Sequence, residues 1–179
     1  MPIRAAILVA QNFQDEEVVY PYYRLLEEGF QVDVASPDGQ IVHGKYGVPA
    51  RVNKATGDLK AEDYDAVILP GGFESPDRLR IRKEVLAFVR AMDQQGRLVA
   101  AICHGPWIAI SAGIVRGRQI TGFMSIADDL RNAGADYREA DLVVDRNLIS
   151  SPHYKNNGDF MKAVVGYLLT ASSRAAKAH

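Results

Sequence analysis

The chain has 179 residues, 47% of them hydrophobic, and a formal net charge of −1 from 21 basic and 22 acidic side chains. This length and apolar content predict one compact domain with a full-sized core. The charged residues are spread evenly, so composition argues against binding to nucleic acid and against attachment to an anionic membrane. No stretch approaches the roughly 20 consecutive apolar residues that are needed to cross a bilayer.

The first residues and the single cysteine indicate where the protein acts. The segment "MPIRAAILVAQNF" has a short apolar run without a basic leader or a small-residue cleavage site, which predicts a first strand rather than a signal peptide. Cys103 has no second cysteine with which to form an internal disulfide, so we expect a cytoplasmic protein. We expect one domain over residues 1–170 and a frayed tail over residues 171–179.

Short apolar runs alternate with helical patterns along the chain. Strands are predicted at residues 3–10, 31–36, 66–70 and 98–102, and helices at residues 16–28, 82–95, 105–113, 128–135 and 159–169. The polar residues 38–60 predict a small hairpin or an extended excursion, and residues 139–151 predict a two-stranded hairpin. This order predicts an α/β sandwich with an open, mainly parallel central sheet.

Parallel sheets of this kind place their sites beyond the carboxyl ends of the strands. Three segments occupy that position: "QNFQDEE" after the first strand, "GGFESPD" after the third and "CHGP" after the fourth. We therefore expect these three segments to lie together and to form the functional site.

Cys103 stands between the fourth predicted strand and the next helix. This order is typical of a nucleophile elbow, a sharp turn that presents a side chain above the sheet. The helix N-terminus favours negative charge, so we expect it to lower the pKa of the thiol. The alternative is a structural thiol, because cysteine is also a small core hydrophobe.

The residues around Cys103 give weaker signals. Gly71 and Gly72 allow a close backbone approach to a ligand, and their N–H groups could hold an oxyanion, although paired glycines also form ordinary turns. His104 could carry a proton or simply pack its ring. The "QDEE" segment by itself predicts only a helix start. The histidines show no metal-ligand spacing and the glycines form no nucleotide-binding motif, so we expect neither a metal nor a cofactor.

Four segments of the chain occur in a recognisable order: "YPYYRLLEEGFQVDVAS", "VILPGG", "AICHGPWIAISAG" and "LRNAGADY". Together they resemble the DJ-1/PfpI superfamily, most closely its PfpI branch, over residues 3–169. The resemblance implies a flavodoxin-like, three-layer α/β/α sandwich. It also implies a homo-oligomer, either a dimer or a hexamer.

The resemblance implies roles for individual residues. Cys103 is the nucleophile, and Glu17 is a protonated carboxyl group that contacts its sulfur. His104 follows the nucleophile as in the PfpI branch, where an acidic residue of a neighbouring subunit completes a Cys–His–acid triad. Asp77 matches that acid, one methylene shorter than the usual glutamate. The N–H groups of Gly72 and His104 form the oxyanion site.

Two segments differ from the pattern of the PfpI branch. "GFMSIADD" stands where an aromatic residue and often a proline are usual, and "SSPHYKNNGDF" replaces an arginine and a Pro-Asp-Leu sequence. Both segments are expected to border the cleft. Phe123, His153 and Tyr154 are therefore expected to contact the substrate and to give the protein its own preference.

These signals predict a cofactor-independent cysteine enzyme, of the hydrolase or lyase type, that acts on a small carbonyl or acyl-like substrate. The resemblance leaves open peptide hydrolysis, deglycation, a glyoxalase-type reaction and hydration of nitrile-like groups. The rival hypothesis is an oxidation-sensing stress protein or chaperone, in which Cys103 is oxidised rather than used in turnover. A structural protein with an inert thiol is the third alternative.

Overall fold

A seven-stranded sheet forms the centre of the computed structural model, which describes residues 2–177 of the chain and the side chains of residues 2–173. The strands are β1 (Arg4–Leu8), β2 (Gln31–Ser36), β3 (Lys54–Ala55), β4 (Ala66–Leu69), β5 (Leu98–Ile102), β6 (Gln119–Ile120), β7 (Asp136–Tyr137), β8 (Val143–Asp145) and β9 (Leu148–Ser151). The central sheet has the order β3-β2-β1-β4-β5-β9-β8, and β8 pairs with β9 in the antiparallel direction. The strands β6 and β7 form a separate parallel pair.

Helices cover both faces of the sheet. They are α1 (Glu16–Glu27), α2 (Glu74–Leu79), α3 (Lys83–Gln94), α4 (Pro106–Ala112), α5 (Ala127–Asn132) and α6 (Asn157–Lys177). All five residues of β5 are buried, as expected for a strand that is covered on both sides. Alternate residues of β1 join different cores: Ile7 packs in the core on the side of α1 and α6, whereas Leu8 packs in the core on the side of α3 and α4. The predicted three-layer sandwich is confirmed.

The structure differs from the sequence prediction at several elements. We predicted no helix where α2 lies. No capping residue precedes this segment, and Pro76 interrupts its pattern. The strands β6 and β7 have two residues each and are too short for a periodic signal. The helix α6 runs to Lys177, beyond the predicted end at residue 169, and residues 178–179 lie outside the described residues. That residues 171–179 fray stays a prediction. No helix within residues 2–177 is long and apolar enough to cross a membrane.

A buried carboxylate holds the extended segment between β2 and β3, which we call the excursion. Asp15, at the start of α1, accepts hydrogen bonds from the N–H groups of Tyr46 (2.9 Å) and Val48 (3.0 Å). Its carboxylate occupies the space next to Gly44 where any other side chain would begin. The excursion is therefore tied to the first turn of α1, the same turn that carries Glu17.

A buried guanidinium group ties the hairpin of β8 and β9 to α3. Arg118 lies 3.2 Å from Asp93 through Nη1 and donates through Nη2 to Asn147 and to the carbonyl group of Asp145. Its Nε lies 3.3 Å from an Asp145 carboxylate oxygen, outside good hydrogen-bond geometry. Only 6% of the Arg118 side chain is exposed, so these two carboxylates, rather than water, balance its positive charge.

We expect Arg118→Met to lower the free energy of unfolding by about 3 kcal/mol, because it leaves two carboxylates without their shared cation. Urea unfolding monitored by circular dichroism measures the loss. The matched control is Arg131→Met, since Arg131 pairs with Asp128 on the surface of α5 and such exposed pairs contribute less than about 1 kcal/mol. Equal stability of the two variants would contradict the structural role of Arg118.

Candidate active site

Cys103 lies at a sharp turn between β5 and α4. Its backbone is left-handed (φ 61°), which few residues other than glycine adopt. The Cys103 N–H donates to the carbonyl group of Ser151 on β9 (2.9 Å), and the Cys103 carbonyl accepts from the N–H of Phe123 (2.8 Å). The side chain is 7% exposed, so the turn presents a mostly buried thiol at the carboxyl end of the sheet, where the sequence predicted it.

Glu17 lies beside the thiol and is fully buried. Its Oε2 accepts a hydrogen bond from the Gly71 N–H (2.7 Å), while Oε1 has no hydrogen-bond partner among the described residues. Burial raises the pKa of this carboxyl group to about 8, so it carries a proton at neutral pH. A side chain at Gly71 would begin 2.6 Å from both Cys103 Cβ and Glu17 Oε2, so only glycine leaves room for this pair.

His104 contacts the thiol directly, although neighbouring residues in sequence do not generally face each other. Its Nδ1 lies 3.2 Å from Cys103 Sγ, and its Nε2 lies 3.1 Å from the hydroxyl oxygen of Ser125. Burial lowers the pKa of His104, so the imidazole is neutral at pH 7 and can accept a proton. The two adjacent side chains meet at the residue whose backbone is left-handed.

The pKa of the thiol corrects our expectation from the sequence. We expected the start of a helix to lower it, but burial, followed by the charge of Glu17 when ionised, raises the pKa of Cys103 to about 12. The N–H groups of Gly72 and His104 face the sulfur and act in the opposite direction. The resting group is therefore a thiol, and a base must remove its proton before it can attack.

The three residues predicted to border the cleft do lie together near the thiol. Phe123 stacks on the His104 ring, with centroids 5.1 Å apart and an interplanar angle of 25°. His153 follows at 5.9 Å from Phe123, and Tyr154 lies 4.0 Å from His153. Burial lowers the pKa of His153. An aromatic wall thus extends from the imidazole of His104 along one side of the site.

Asp77 does not join this cluster within one chain. It lies exposed on α2 and makes no hydrogen bond or ion pair with the described residues. Its role as an acid supplied to another subunit stays a prediction.

Ser125, which does contact His104, was not singled out from the sequence. Its only signal was its place in the divergent "GFMSIADD" segment. No cluster of three or more metal-ligating side chains occurs within the described part of the chain.

We expect Glu17→Gln to accelerate alkylation of Cys103 by iodoacetamide at pH 8. The substitution removes the carboxylate charge that raises the pKa of the thiol, so more thiolate forms at a given pH. Rates measured from pH 7 to 10 give the displacement of the profile toward lower pH. Glu16→Gln, one residue earlier, is the matched control and should leave the profile in place. An unchanged or slower rate in Glu17→Gln would refute the coupling.

Comparison with known proteins shows the family of the chain. The model of the DJ-1/PfpI family matches residues 3–166. A deglycase of Pyrococcus abyssi is 44% identical over 149 residues, 83% of this chain and 89% of its own length. Deglycase PfpI of Pyrococcus furiosus is 40% identical over 151 residues, 84% of this chain and 90% of its own length.

The fold has solved counterparts. A two-domain protein from Anabaena variabilis, with DJ-1/ThiJ/PfpI-like and ferritin-like domains, superimposes with a TM-score of 0.90 at 38% identity. The match covers 93% of this chain and 48% of that one. The family match over most of the length, the identity to these two deglycases and the shared architecture lead to one conclusion: the chain belongs to the DJ-1/PfpI family.

Proposed function

We propose that this protein is a cysteine-nucleophile enzyme that acts on a small carbonyl compound, without a cofactor. The observation that carries the proposal is the 3.2 Å contact between Cys103 Sγ and His104 Nδ1 at a turn lined by backbone N–H groups. A nucleophile within hydrogen-bond distance of a neutral base is the arrangement that covalent catalysis requires.

The first step is an addition to the carbonyl carbon. His104 Nδ1 takes the thiol proton, and the sulfur electron pair forms the bond to carbon. The carbonyl π electrons move to oxygen, where the N–H groups of Gly72 and His104 stabilise the negative charge. Return of the proton from the imidazolium to that oxygen gives a neutral hemithioacetal, so the atoms and charges of the step balance.

The aromatic wall supports a small substrate rather than a polypeptide. Phe123, His153 and Tyr154 offer flat apolar faces and few hydrogen-bond groups for an extended backbone. Two relatives at 40% identity or more are named deglycases, and a glycated amine carries the carbonyl chemistry that the first step needs. We therefore propose adducts of small aldehydes, and the free 2-oxoaldehydes themselves, as the substrate class.

Cys103→Ser should lower turnover of these substrates by about 1000-fold or more, because the hydroxyl group is a far weaker nucleophile than the thiol. The measurement is a panel of methylglyoxal, a methylglyoxal-treated amino acid and a fluorogenic peptide, with both proteins at matched concentration. Thermal unfolding of the variant controls for its fold.

Full turnover by Cys103→Ser would refute the proposed nucleophile. Absence of turnover in the wild type, together with conversion of Cys103 to a sulfinate by dilute peroxide, would favour the oxidation-sensing alternative instead.

The partner that we propose is a second copy of the chain. Tyr20 (41% exposed), Tyr23 (47%), Ile41 (62%) and Val48 (38%) form one largely apolar area, which we call the α1 surface. It includes a groove of 620 Å³ between α1 and the excursion. Such an area is typical of a protein interface.

The compartment that we propose is the cytoplasm. The single cysteine of the chain fits a reducing compartment.

Sedimentation at micromolar concentration is expected to give a dimer or a larger assembly. Tyr23→Glu should shift it toward the monomer, because it buries a charge in the apolar contact. Val144→Glu is the control, since Val144 is also exposed (53%) but lies on β8 at the far edge of the sheet. A wild-type monomer with full activity would contradict the proposed assembly.

A further inference from the structure

The His104 ring is held on four sides. Cys103 Sγ lies at Nδ1 and the hydroxyl group of Ser125 lies at Nε2, at 3.2 and 3.1 Å. Phe123 stacks on one face, and Trp107 meets the ring edge-on with centroids 5.1 Å apart. Both ring nitrogens thus have a polar neighbour, and aromatic rings pack on one face and against one edge of the imidazole.

These contacts fit one position of the ring proton. When the Cys103 thiol donates to the ring, it can do so only to a nitrogen that lacks hydrogen, so Nδ1 is then the acceptor. The proton of the neutral ring then lies on Nε2, which faces the Ser125 oxygen. A serine hydroxyl group accepts such a bond readily, and Ser125 Oγ has no other partner among the described residues. The carboxylates of the chain do not pair with this ring within the described part.

The backbone places Ser125 against the elbow. The segment Met124–Ile126 forms a single 3-10 turn directly after Phe123, whose N–H donates to the Cys103 carbonyl group. Ile126 closes the turn by donating to the Phe123 carbonyl group (3.0 Å), and its side chain is fully buried. Ser125 is therefore carried by a segment anchored to the same turn as the nucleophile.

We propose that Ser125 is a positioning residue that holds His104 in the Nε2–H form, so that Nδ1 faces Cys103 as the base. One chain then contains a complete Cys103–His104–Ser125 relay, with a neutral hydroxyl group where a triad has an acid. The role of Ser125 in turnover rests on the proposed function, because it presumes that Cys103 attacks a substrate. The inference does not require Asp77 of another subunit.

The first experiment reads the position of the proton and needs no substrate. In protein labelled with 15N-histidine, the two ring nitrogens of His104 have distinct chemical shifts, and His104→Gln identifies its signals. The wild type is expected to show the Nε2–H form, and Ser125→Ala a mixture of both forms. Ser125→Thr keeps a hydroxyl group and should restore the wild-type spectrum. Ser173→Ala, on the outer surface of α6, is the matched control and should leave it unchanged.

The second experiment measures turnover of methylglyoxal. Loss of one hydrogen bond that orients the base predicts a fall in kcat of about 3- to 10-fold in Ser125→Ala, with little change in KM and recovery in Ser125→Thr. A wild-type proton position in Ser125→Ala would overturn the inference. A displacement caused by Asp77→Ala but not by Ser125→Ala would also overturn it, in favour of an acid from a second subunit.

The two proposals fail separately. If the proton moves in Ser125→Ala but the wild type turns over no carbonyl substrate, Ser125 orients the ring and the proposed function is wrong. If turnover depends on Cys103 but the proton stays in place, the proposed function holds and the role of Ser125 is wrong.

Discussion

A residue other than glycine in the left-handed region costs about 1–3 kcal/mol, and Cys103 (φ 61°) is held there by contacts from three parts of the fold. The strand β9 accepts its N–H at Ser151, and the segment after β6 donates to its carbonyl group at Phe123. At Gly105 the chain passes so close to the carbonyl group of Leu69 that a side chain would overlap it. The sheet edge thus stabilises one unfavourable turn, and the thiol and the imidazole of His104 take their positions from it.

The second property of the site is that its buried groups carry no charge at neutral pH. Glu17 keeps its proton up to a pH of about 8, Cys103 keeps its proton to a higher pH still, and His104 is neutral. An unpaired charge in this environment would be costly, so each group remains in its uncharged form at neutral pH. In the proposed mechanism, the thiolate and imidazolium form next to the N–H groups of Gly72 and His104, which already face the sulfur.

Much of this arrangement could be predicted from the sequence. The strand-then-helix pattern around Cys103 predicted the turn, and the rule for parallel sheets brought Gly71, Gly72 and the start of α1 to the same edge. The contact of Glu17 with the thiol, by contrast, was expected only from the resemblance, because an acidic residue at a helix start is common. The pKa of Cys103 was predicted in the wrong direction, since pattern reveals the helix end but not the burial that outweighs it. Ser125 was missed because its contact depends on a 3-10 turn that has no periodic signature.

The carboxylate of Asp15 has a consequence for how the molecule can move. It clamps the excursion at Tyr46 and Val48, and it stands two residues before Glu17 on one rigid helical turn. The first turn of α1 therefore connects the exposed excursion to the carboxyl group beside the thiol. A displacement of the excursion would act first on the turn of α1 that carries Glu17.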